Sequence, residues 1–504
     1  MKIIIAFSGF IFVLVNLILS SWSVINKDIY YYTDIGRDFL IFDEIATKKL
    51  VLVGPRSDAQ GIFHGIAWHY FNMPAYLLAQ GNPVIVGLFW ILLGVGLVIT
   101  SYFIVKKLFD KKSAIIAVLL LSTYLVEHMQ GLFHGKGAWF VLPAYFYFFV
   151  RYSQTKKPFD LLGHLLMLGL LIQFEIAVGM PFALLSFVGL VYLMVRSKLF
   201  HHIFYFAFLI IPLSTFLMFD LRHDFLQIKS FLSYGQGVRN GVAIPFMISL
   251  TDRLHHFAYT GINLFKFPLA QWNLIVFGSF IYSFLKLKKI KDKYKRTYFA
   301  FIYFYVGFYL LTLLHGGLLI EFWWLPVSLL PILIFSTLHH YIPKFVYYGF
   351  LVLILGVSTF QNINYLKTVT QEMGKKTTSW QFHLNNAKQI YEDAPAEFGF
   401  FIYAPDIFGY QDKYAMLYTQ RLYSKKPYVF TKKKITYVLI EPPPSFRTSD
   451  LSPRWWIEEK LKIKKTPIKT ISLGLDYKIE KYELTDEELK IPSEITQADW
   501  LFFR

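Results

Sequence analysis

The chain has 504 residues, is 55% hydrophobic and 19% aromatic, and carries a formal net charge of +18. A mean hydropathy of +0.43 lies outside the range of ordinary soluble chains and indicates a membrane protein. Cysteine is absent, which excludes disulfides, thiol catalysis and thiolate metal sites. The chain has no nucleic-acid motif, Walker-type loop or dinucleotide fingerprint, so we expect its anionic partners to be membrane lipids and a phosphate-bearing substrate rather than nucleic acid.

Apolar runs recur along most of the chain, and the length needed to cross a bilayer predicts about eleven transmembrane helices. They lie at Ile3–Val24, Val84–Val105, Ser113–Val126, Gly137–Val150, Leu161–Val178, Pro181–Val195, Ile203–Phe219, Trp272–Leu287, Tyr298–Leu314, Leu318–Leu338 and Phe345–Phe360. The first run has no small-residue cleavage site after it, so we interpret it as a retained span rather than a signal peptide.

Basic residues follow the even-numbered spans, with the densest cluster at residues 286–296. The positive-inside rule makes that side cytoplasmic. We therefore expect an integral plasma-membrane protein with a cytoplasmic N-terminus. Its loops 26–83, 127–136 and 220–271, and everything after residue 360, would be extracytoplasmic.

The residues after the last span predict a small extracytoplasmic α/β domain. Helices are expected at Trp380–Asp393, Tyr410–Gln420 and Arg454–Ile463, and strands at Phe398–Tyr403, Ile435–Ile440, Ile468–Leu473 and Tyr477–Leu484. We thus divide the chain into a transmembrane domain, residues 1–360, and an extracytoplasmic domain, residues 361–504. The second domain contains no catalytic motif and is interpreted as a capping or docking module.

The first external loop, of about 58 residues, is far longer than a simple connection and is rich in ionisable groups. A helix starting near Thr33 would place Asp34 and Asp38 on one face, with Arg37 on the neighbouring face. The polar pattern is typical of a helix lying flat in the interface. A carboxylate there could act as general base on an acceptor hydroxyl or amine, although Asp34 is also a favoured helix N-cap.

Five basic residues could neutralise the charge of a phosphate leaving group. They are Arg37 on the predicted helix and Arg56, His64, His69 and Lys136 outside it. Lys136 is equally typical of an interfacial lysine that extends its ammonium towards water.

These features resemble the GT-C superfamily of membrane glycosyltransferases, most of all the dolichyl-phosphate-mannose-protein mannosyltransferase and aminoarabinose-transferase group. That group carries an Asp-Glu pair at the start of a juxtamembrane helix. Asp34 matches the Asp, and Ile35 stands where the group has Glu. Residues 62–70 resemble the segment in which those enzymes hold the carrier phosphate with a Lys-Pro pair. His64 takes the Lys position and Gly65 the Pro position.

A late span of this chain also resembles the group. Residues 322–326, Phe-Trp-Trp-Leu-Pro, with Pro331 beyond, are similar to its late Tyr-x-Leu-Pro span. The resemblance covers about residues 1–360. It implies an all-α GT-C-like membrane domain, a polyprenyl-phosphate-linked sugar donor, inversion at the anomeric carbon and transfer on the external face.

The expected function is therefore a glycosyltransferase, moving a hexose or pentose to a lipid, glycan or protein acceptor. The catalytic candidates are Asp34 and Asp38, and the donor phosphate would be bound by Arg37, Arg56, His64 and Lys136. Further candidates for the acceptor or cavity are His69, Glu127, His128, Glu175, Arg239 and Glu321. The scheme needs no cofactor. The carboxylates and histidines would permit a divalent metal, but no residue spacing argues for one.

Two other classes remain open from the sequence. A flippase or transporter of lipid-linked saccharides would use the same charged cavity without making a bond. The absence of an internal repeat and the carboxylate-rich loop on one side only count against it. The third class is a scaffold whose C-terminal region binds partners.

Overall fold

A computed structural model describes residues 2–48, 50–57, 59–235, 244–260, 277–278, 281–282, 285, 292–315, 317–404, 408–442 and 452–495. The chain divides into two compact units. The first comprises Met1–Trp22, Leu50–Asn72 and Leu88–Lys367. The second comprises Ser23–Lys49, Met73–Gly87 and Thr368–Arg504. Two stretches from the first hundred residues are thus assigned to the same unit as the C-terminal region. The domain boundary after residue 360 stays a prediction.

Helices make up most of the described structure. In chain order they are α1 (Lys2–Ser20), α2 (Trp22–Ile25), α3 (Thr33–Lys48), α4 (Ala67–Leu78), α5 (Pro83–Leu108), α6 (Lys111–His128), α7 (Ala138–Thr155), α8 (Pro158–Phe174), α9 (Ile176–Arg196), α10 (Ser214–Arg222), α11 (Leu226–Gly235) and α12 (Phe246–His255), followed by Asp292–Thr312, Glu321–Trp324, Leu329–Phe335, Lys344–Glu372, Trp380–Asp393, Tyr410–Gln420, Pro453–Trp455 and Asp486–Lys490. Short 3-10 or π segments occupy His134–Gly137, Phe200–Ile210, His256–Thr260, Leu313–His315, Pro326–Ser328, Leu338–His340 and Trp456–Lys460.

The apolar helices are those of an integral membrane protein. Among the described residues, 5 helices are long and apolar enough to cross a bilayer. They are Pro83–Leu108, Ile176–Arg196, Tyr294–His315, Glu321–His340 and Lys344–Glu372. A sixth span results if Phe200–Ile210 and Ser214–Arg222, bent by 66°, are counted as one.

The predicted count of about eleven spans is therefore not confirmed. Most predicted spans coincide with helices, but several of these are short, such as α8 with 17 residues. The predicted span Trp272–Leu287 lies mostly outside the described residues.

Polar side chains inside the first unit hydrogen-bond across helices. Asn16 of α1 donates to Oγ of Ser122 in α6 at 3.2 Å. Asn362 of the helix Lys344–Glu372 donates to the carbonyl of Thr123 at 2.9 Å. Because an unsatisfied polar group in an apolar interior costs several kcal/mol, such bonds fix the neighbours of a helix. These two bonds fix the position of α6 against two other helices. The chain after the C-terminal end of α6 leads into the short helix His134–Gly137.

The second unit contains a mixed sheet of 5 strands in the order β2-β1-β3-β5-β4. The strands are β1 (Glu397–Tyr403), β2 (Lys426–Val429), β3 (Ile435–Ile440), β4 (Lys469–Gly474) and β5 (Tyr477–Glu483). β1 is parallel to β2 and β3, whereas β5 is antiparallel to β3 and β4. The predicted α/β character is confirmed, and β2 is an edge strand that the sequence analysis missed.

Helix α3 packs within the second unit on the helix Tyr410–Gln420. Gly36 makes this close approach possible, because a Cβ there would lie 2.8 Å from the backbone nitrogen of Gln411. Thr33 hydrogen-bonds to the Gln411 side chain at 3.0 Å, and the rings of Phe39 and Tyr414 lie 5.0 Å apart. The helix begins at Thr33, as the sequence predicted.

Candidate functional site

Asp34 lies in the first turn of α3, where its carboxylate pairs with a guanidinium one turn along the helix. Nη2 of Arg37 lies 2.7 Å from Oδ1 of Asp34. The side chains are 15% exposed for Arg37 and 23% exposed for Asp34. Nε of Arg37 is buried and has no hydrogen-bond partner among the described residues. The pair therefore offers a fixed carboxylate together with an unused N–H of a permanent cation.

The other carboxylates of α3 have different surroundings. Asp38 is 1% exposed. Asp43 pairs with Arg421, and it accepts a hydrogen bond from the hydroxyl of Tyr76 at 3.2 Å. Burial raises the pKa of that Tyr76 hydroxyl to about 12, and the charge of Asp43 adds to the effect. Asp43 thus belongs to a network that joins α3 to the rest of the second unit.

In the first unit, residues 54–57 and 59–64 lie antiparallel to each other in a narrow hairpin that fixes His64. The Gly54 amide donates to the carbonyl of His64 at 2.9 Å, and the His64 amide donates to that of Pro55 at 2.8 Å. Arg56 pairs with Phe63 in an antiparallel bridge. A Cβ on Gly65 would lie 2.6 Å from the Cα of Gln173, so only glycine lets the hairpin approach the end of α8 this closely.

Three side chains from distant parts of the first unit meet at His64. The donor atoms of His64, His134 and Glu175 lie within 4.8 Å of one another. His134 and Glu175 are buried, and the side chain of His64 is 11% exposed. Nδ1 of His64 lies 3.7 Å from Oε1 of Glu175, and the rings of His64 and His134 lie 4.6 Å apart. We call these three residues the His-His-Glu cluster.

Glu175 has an unusual place in the backbone. It lies between α8 and α9 with an extended conformation, φ −144° and ψ 101°, and its Oε1 accepts the amide of Ala177 at 3.1 Å. The sequence predicted a break at Gly179–Pro181, whereas the structure places it at Glu175. The break leaves backbone amides at the start of α9 without helical partners, and the Glu175 carboxylate caps one of them. The same carboxylate lies next to His64 and His134.

Lys136 is directed inwards. Its Nζ donates to the carbonyls of His128 and Gly131, both at 2.8 Å. Burial lowers the pKa of the ammonium to about 8, against the opposing charges of Glu321 and Glu127. Two of its three N–H donors therefore stabilise the turn that precedes the short helix His134–Gly137.

The remaining candidates are distributed over the first unit. His69 of α4 is fully buried, and its ring stacks on His134 with centroids 6.2 Å apart. The rings of His128 and Trp139 lie edge to face, with their centroids 5.3 Å apart. Glu127 is half-buried near the end of α6, and Glu321 is exposed at the start of its helix. Arg239 lies outside the described residues.

The predicted site residues thus fall into two groups, one in each unit. Asp34, Arg37 and Asp38 belong to the second unit, and the other described candidates to the first. His134 was not among the candidates predicted from the sequence. A histidine next to a glycine-rich turn gives no signal of its partners 70 and 41 positions away.

Comparison with solved structures identifies the fold. Over 94% of this chain and 98% of the other, it superposes on ArnT from Cupriavidus metallidurans in the apo state with TM-score 0.61 and 11% identity. The undecaprenyl phosphate-bound ArnT gives TM-score 0.59 at 11% identity, covering 94% of this chain and 97% of that one. The GT-C fold predicted from the sequence is confirmed.

The remaining comparisons show a weaker structural likeness or no match. The oligosaccharyltransferase AglB from Archaeoglobus fulgidus gives TM-score 0.46 and 12% identity over 84% of this chain and 64% of that one. No protein-family model and no curated protein sequence matches the chain.

Proposed function

We propose that the chain transfers a sugar from a polyprenyl-phosphate donor to a lipid, glycan or protein acceptor on the extracytoplasmic face of the membrane. The observation that carries this proposal is the fold shared with ArnT over nearly the whole of both chains. ArnT was crystallised bound to undecaprenyl phosphate, a lipid phosphate of the proposed donor class. The sugar is a hexose or a pentose.

Asp34 is the proposed general base. The acceptor oxygen or nitrogen attacks the anomeric carbon while its proton passes to the carboxylate, and the bond from that carbon to the phosphate oxygen breaks. The products are the inverted glycoside and the polyprenyl phosphate, and the proton on Asp34 then returns to water. Arg37, at 2.7 Å, holds the carboxylate in one orientation, which is a prerequisite for proton transfer at a fixed distance.

The proposed ligands of the donor phosphate are Arg37, Arg56, His64 and Lys136. Charge develops on the phosphate as it leaves, so fixed cations lower the barrier. The Nε–H group of Arg37, which has no hydrogen-bond partner among the described residues, is proposed to donate to a phosphate oxygen. Lys136 retains one N–H beyond the two that bind backbone carbonyls, so its contribution is mainly its charge. Asp38 is proposed as a second catalytic carboxylate. His69, Glu127, His128, Glu175, Arg239 and Glu321 are proposed as acceptor or cavity residues.

The test is transfer by the Asp34→Asn variant. Full-length protein in proteoliposomes is supplied with a polyprenyl-phosphate donor bearing a radiolabelled sugar and with extracted acceptors, and the glycosidic product is quantified. Loss of a positioned general base lowers the rate by about 10²–10⁴-fold. Asn keeps the size of Asp, and its side-chain oxygen can still accept a hydrogen bond from Arg37, so we expect the fold to be retained.

The matched control is Asp43→Asn, which removes another α3 carboxylate that already pairs with Arg421. Transfer by this variant should stay near the wild-type rate. If Asp38→Asn lost the activity and Asp34→Asn kept it, Asp38 would be the base. Movement of intact donor across the bilayer without any glycosidic product would contradict the transferase proposal and favour a flippase.

A further inference from the structure

Three basic side chains of the first unit come together where α7 ends. Lys156 directly follows α7, Arg196 ends α9, and Arg296 lies near the start of the helix Asp292–Thr312. Nζ of Lys156 and Nη1 of Arg296 both donate to the carbonyl oxygen of Ser153, at 2.9 Å and 2.8 Å. The two nitrogen atoms are therefore no more than about 6 Å apart, a separation at which two cations repel each other. We call Lys156, Arg196 and Arg296 the three-cation cluster.

The ammonium of Lys156 is held in place beside the other two cations. Its Nζ lies 5.5 Å from the centroid of the Tyr152 ring, and the hydroxyl of this buried tyrosine hydrogen-bonds to Nδ1 of His202 at 2.9 Å. Burial, together with the charges of Arg296 and Arg196, lowers the pKa of the ammonium to about 8. A bound anion would relieve this repulsion and stabilise the charged form of Lys156.

The carboxylates nearest in the chain pair with other cations. Asp160 is 5% exposed, and its Oδ1 lies 3.8 Å from Nε of Arg151. Asp292 lies 2.6 Å from the ammonium of Lys295. Among the residues that the structure describes, no member of the three-cation cluster forms an ion pair with a carboxylate. The shared carbonyl oxygen caps the end of α7, but it does not neutralise the charges.

The chemistry of the cluster matches a phosphate group. Arginine and lysine bind phosphate oxygens through short charge-assisted hydrogen bonds, and one phosphate can contact two cations that are as close as Lys156 and Arg296. The cluster lies beyond the opposite end of α7 from Lys136, a proposed ligand of the donor phosphate. A helix of 18 residues is about 27 Å long. The two positions therefore bind different phosphates.

The surroundings of the cluster favour a lipid over free phosphate. The apolar helix Ile176–Arg196 ends at one of the cations, and the apolar segment Tyr294–His315 begins two residues before Arg296. Both arginines thus lie where a transmembrane helix meets the headgroup region. Phe299, one turn after Arg296 on the same helix face, is 57% exposed. An exposed ring beside a cation suits a ligand that carries acyl chains as well as a phosphate.

We propose that the three-cation cluster binds the phosphate of an acidic phospholipid in the leaflet that the sequence predicts to be cytoplasmic. Basic side chains at this level attract anionic lipids, and three of them around one phosphate make a specific site. The bound lipid would join the ends of three helices that otherwise repel one another, and would so stabilise the first unit. The proposal concerns a lipid of the surrounding membrane and does not depend on transferase activity.

Native mass spectrometry of the full-length protein, delipidated in a neutral detergent, provides the test. Dioleoyl phosphatidylglycerol is titrated into the protein, with zwitterionic dioleoyl phosphatidylcholine as the comparison. We expect phosphatidylglycerol to bind at least about 10-fold more tightly than phosphatidylcholine and to raise the melting midpoint. Arg196→Gln/Arg296→Gln should weaken phosphatidylglycerol binding at least about 10-fold. Equal binding of the two lipids by the wild type would overturn the proposal.

The matched control is Lys106→Gln/Lys107→Gln, which removes the same charge from two exposed lysines at the end of α5. Each of these lysines also lies over a tyrosine ring, at 5.8 Å. The control should bind phosphatidylglycerol like the wild type. Equally weakened binding in both double variants would mean that net charge and not the cluster attracts the lipid, which would overturn the proposal.

Two further arms keep the result interpretable. Size-exclusion profiles show whether the double variant is folded, and Arg196→Gln alone, which removes only a hydrogen bond to Tyr192, replaces it if it is not. Unchanged phosphatidylglycerol binding in a folded cluster variant would contradict the site. Displacement of the lipid by a small excess of inorganic phosphate would indicate a site for free phosphate and would also overturn the lipid proposal. None of these outcomes bears on the transferase proposal, since no donor or acceptor is present.

Discussion

Each of the two units buries histidine near a carboxylate, but the two arrangements differ in how closely the atoms meet. In the second unit, Nδ1 of His383 lies 2.6 Å from Oδ1 of Asp412, and Nε2 lies 2.8 Å from the carbonyl oxygen of Thr377. An ionised Asp412 and the Thr377 carbonyl both accept hydrogen bonds, so this geometry favours an imidazolium ring that carries both protons. In the first unit, Nδ1 of His64 lies 3.7 Å from Oε1 of Glu175.

The difference lies in direct hydrogen bonding between the histidine and the carboxylate. Both ring nitrogens of His383 have protein partners, and the side chains of His383 and Asp412 are each 1% exposed. In the His-His-Glu cluster, the 3.7 Å between Nδ1 of His64 and Oε1 of Glu175 is too long for a direct hydrogen bond.

The largest expected effect on stability comes from breaking the closed pair. His383→Ala would leave the Asp412 carboxylate buried without its cation, which typically costs about 3–5 kcal/mol. We expect a lower midpoint and a lower free energy of unfolding of the second unit, measured by urea-dependent proteolysis of the purified protein. An unchanged free energy of unfolding would show that the His383–Asp412 pair does not stabilise the second unit.

The reciprocal substitution tests the other side of the comparison. His64→Ala should lower the free energy of unfolding far less than His383→Ala does, because Nδ1 of His64 and Oε1 of Glu175 are 3.7 Å apart and form no direct hydrogen bond. Equal losses of stability in the two variants would show that this distance does not decide how much a buried histidine stabilises the fold.

A smaller effect is expected from titrating the closed pair instead of deleting it. Burial opposes the charge on His383, but Asp412, the Thr377 carbonyl and Asp28 outweigh it, so the pKa of the imidazole is raised. A raised pKa means that the folded state holds the proton more tightly than the unfolded state. The stabilisation is therefore complete below the unfolded pKa of about 6.5 and is lost as pH rises through the folded value.

The measurement is the melting midpoint of the second unit between pH 6 and pH 9. Asp412→Asn, which removes the main cause of the raised pKa, should flatten the decline above pH 6.5. Asp28 contributes a separate pH dependence at lower pH. Burial raises the pKa of its carboxyl group, so its contribution to the stability of the second unit also falls as pH rises, but this fall begins in the acid range. A midpoint independent of pH in the wild type would show that His383 is neutral.

Much of the fold could be predicted because its signals are local. Helix start signals and apolar periodicity gave the helices Trp380–Asp393 and Tyr410–Gln420 with the bounds that the structure has. The strand Ile435–Ile440 was likewise predicted in full. β2 was missed because four residues that include a proline, Lys426–Val429, carry no alternating pattern and pair only as an edge strand.

The candidate site was predicted less completely, because its parts depend on long-range packing. Asp34 could be selected as a candidate because a carboxylate at the start of a helix after a first span is a local feature. The closure of His64 on His134 and Glu175 depends on where three segments meet in the folded unit, and no spacing along the chain encodes it. The pairing of Asp43 with Arg421, across 378 positions, was equally inaccessible.

The smallest predicted effect concerns another closed carboxylate, this time in the first unit. Asp110 caps α6, accepting the amides of Lys112 and Ser113 at 2.8 Å and 2.9 Å, and it lies 2.7 Å from Nε2 of His340. Burial alone would raise the pKa of its carboxyl, but the hydrogen bonds from Ser113 and His340 lower it to about 2. Because these distances are short, Asp110 should behave like Asp412 and not like Glu175.

Asp110→Ala removes the cap and should cost about 1 kcal/mol, whereas Asp110→Asn, which still accepts from the helix amides, should cost less. Both values are obtained from thermal unfolding followed by tryptophan fluorescence, with Asp43→Asn as a carboxylate control from the second unit. If Asp110→Ala left the stability unchanged, short hydrogen bonds would not be what makes a carboxylate stabilising. The contrast between the two histidine–carboxylate arrangements would then have to rest on position in the fold and not on hydrogen-bond geometry.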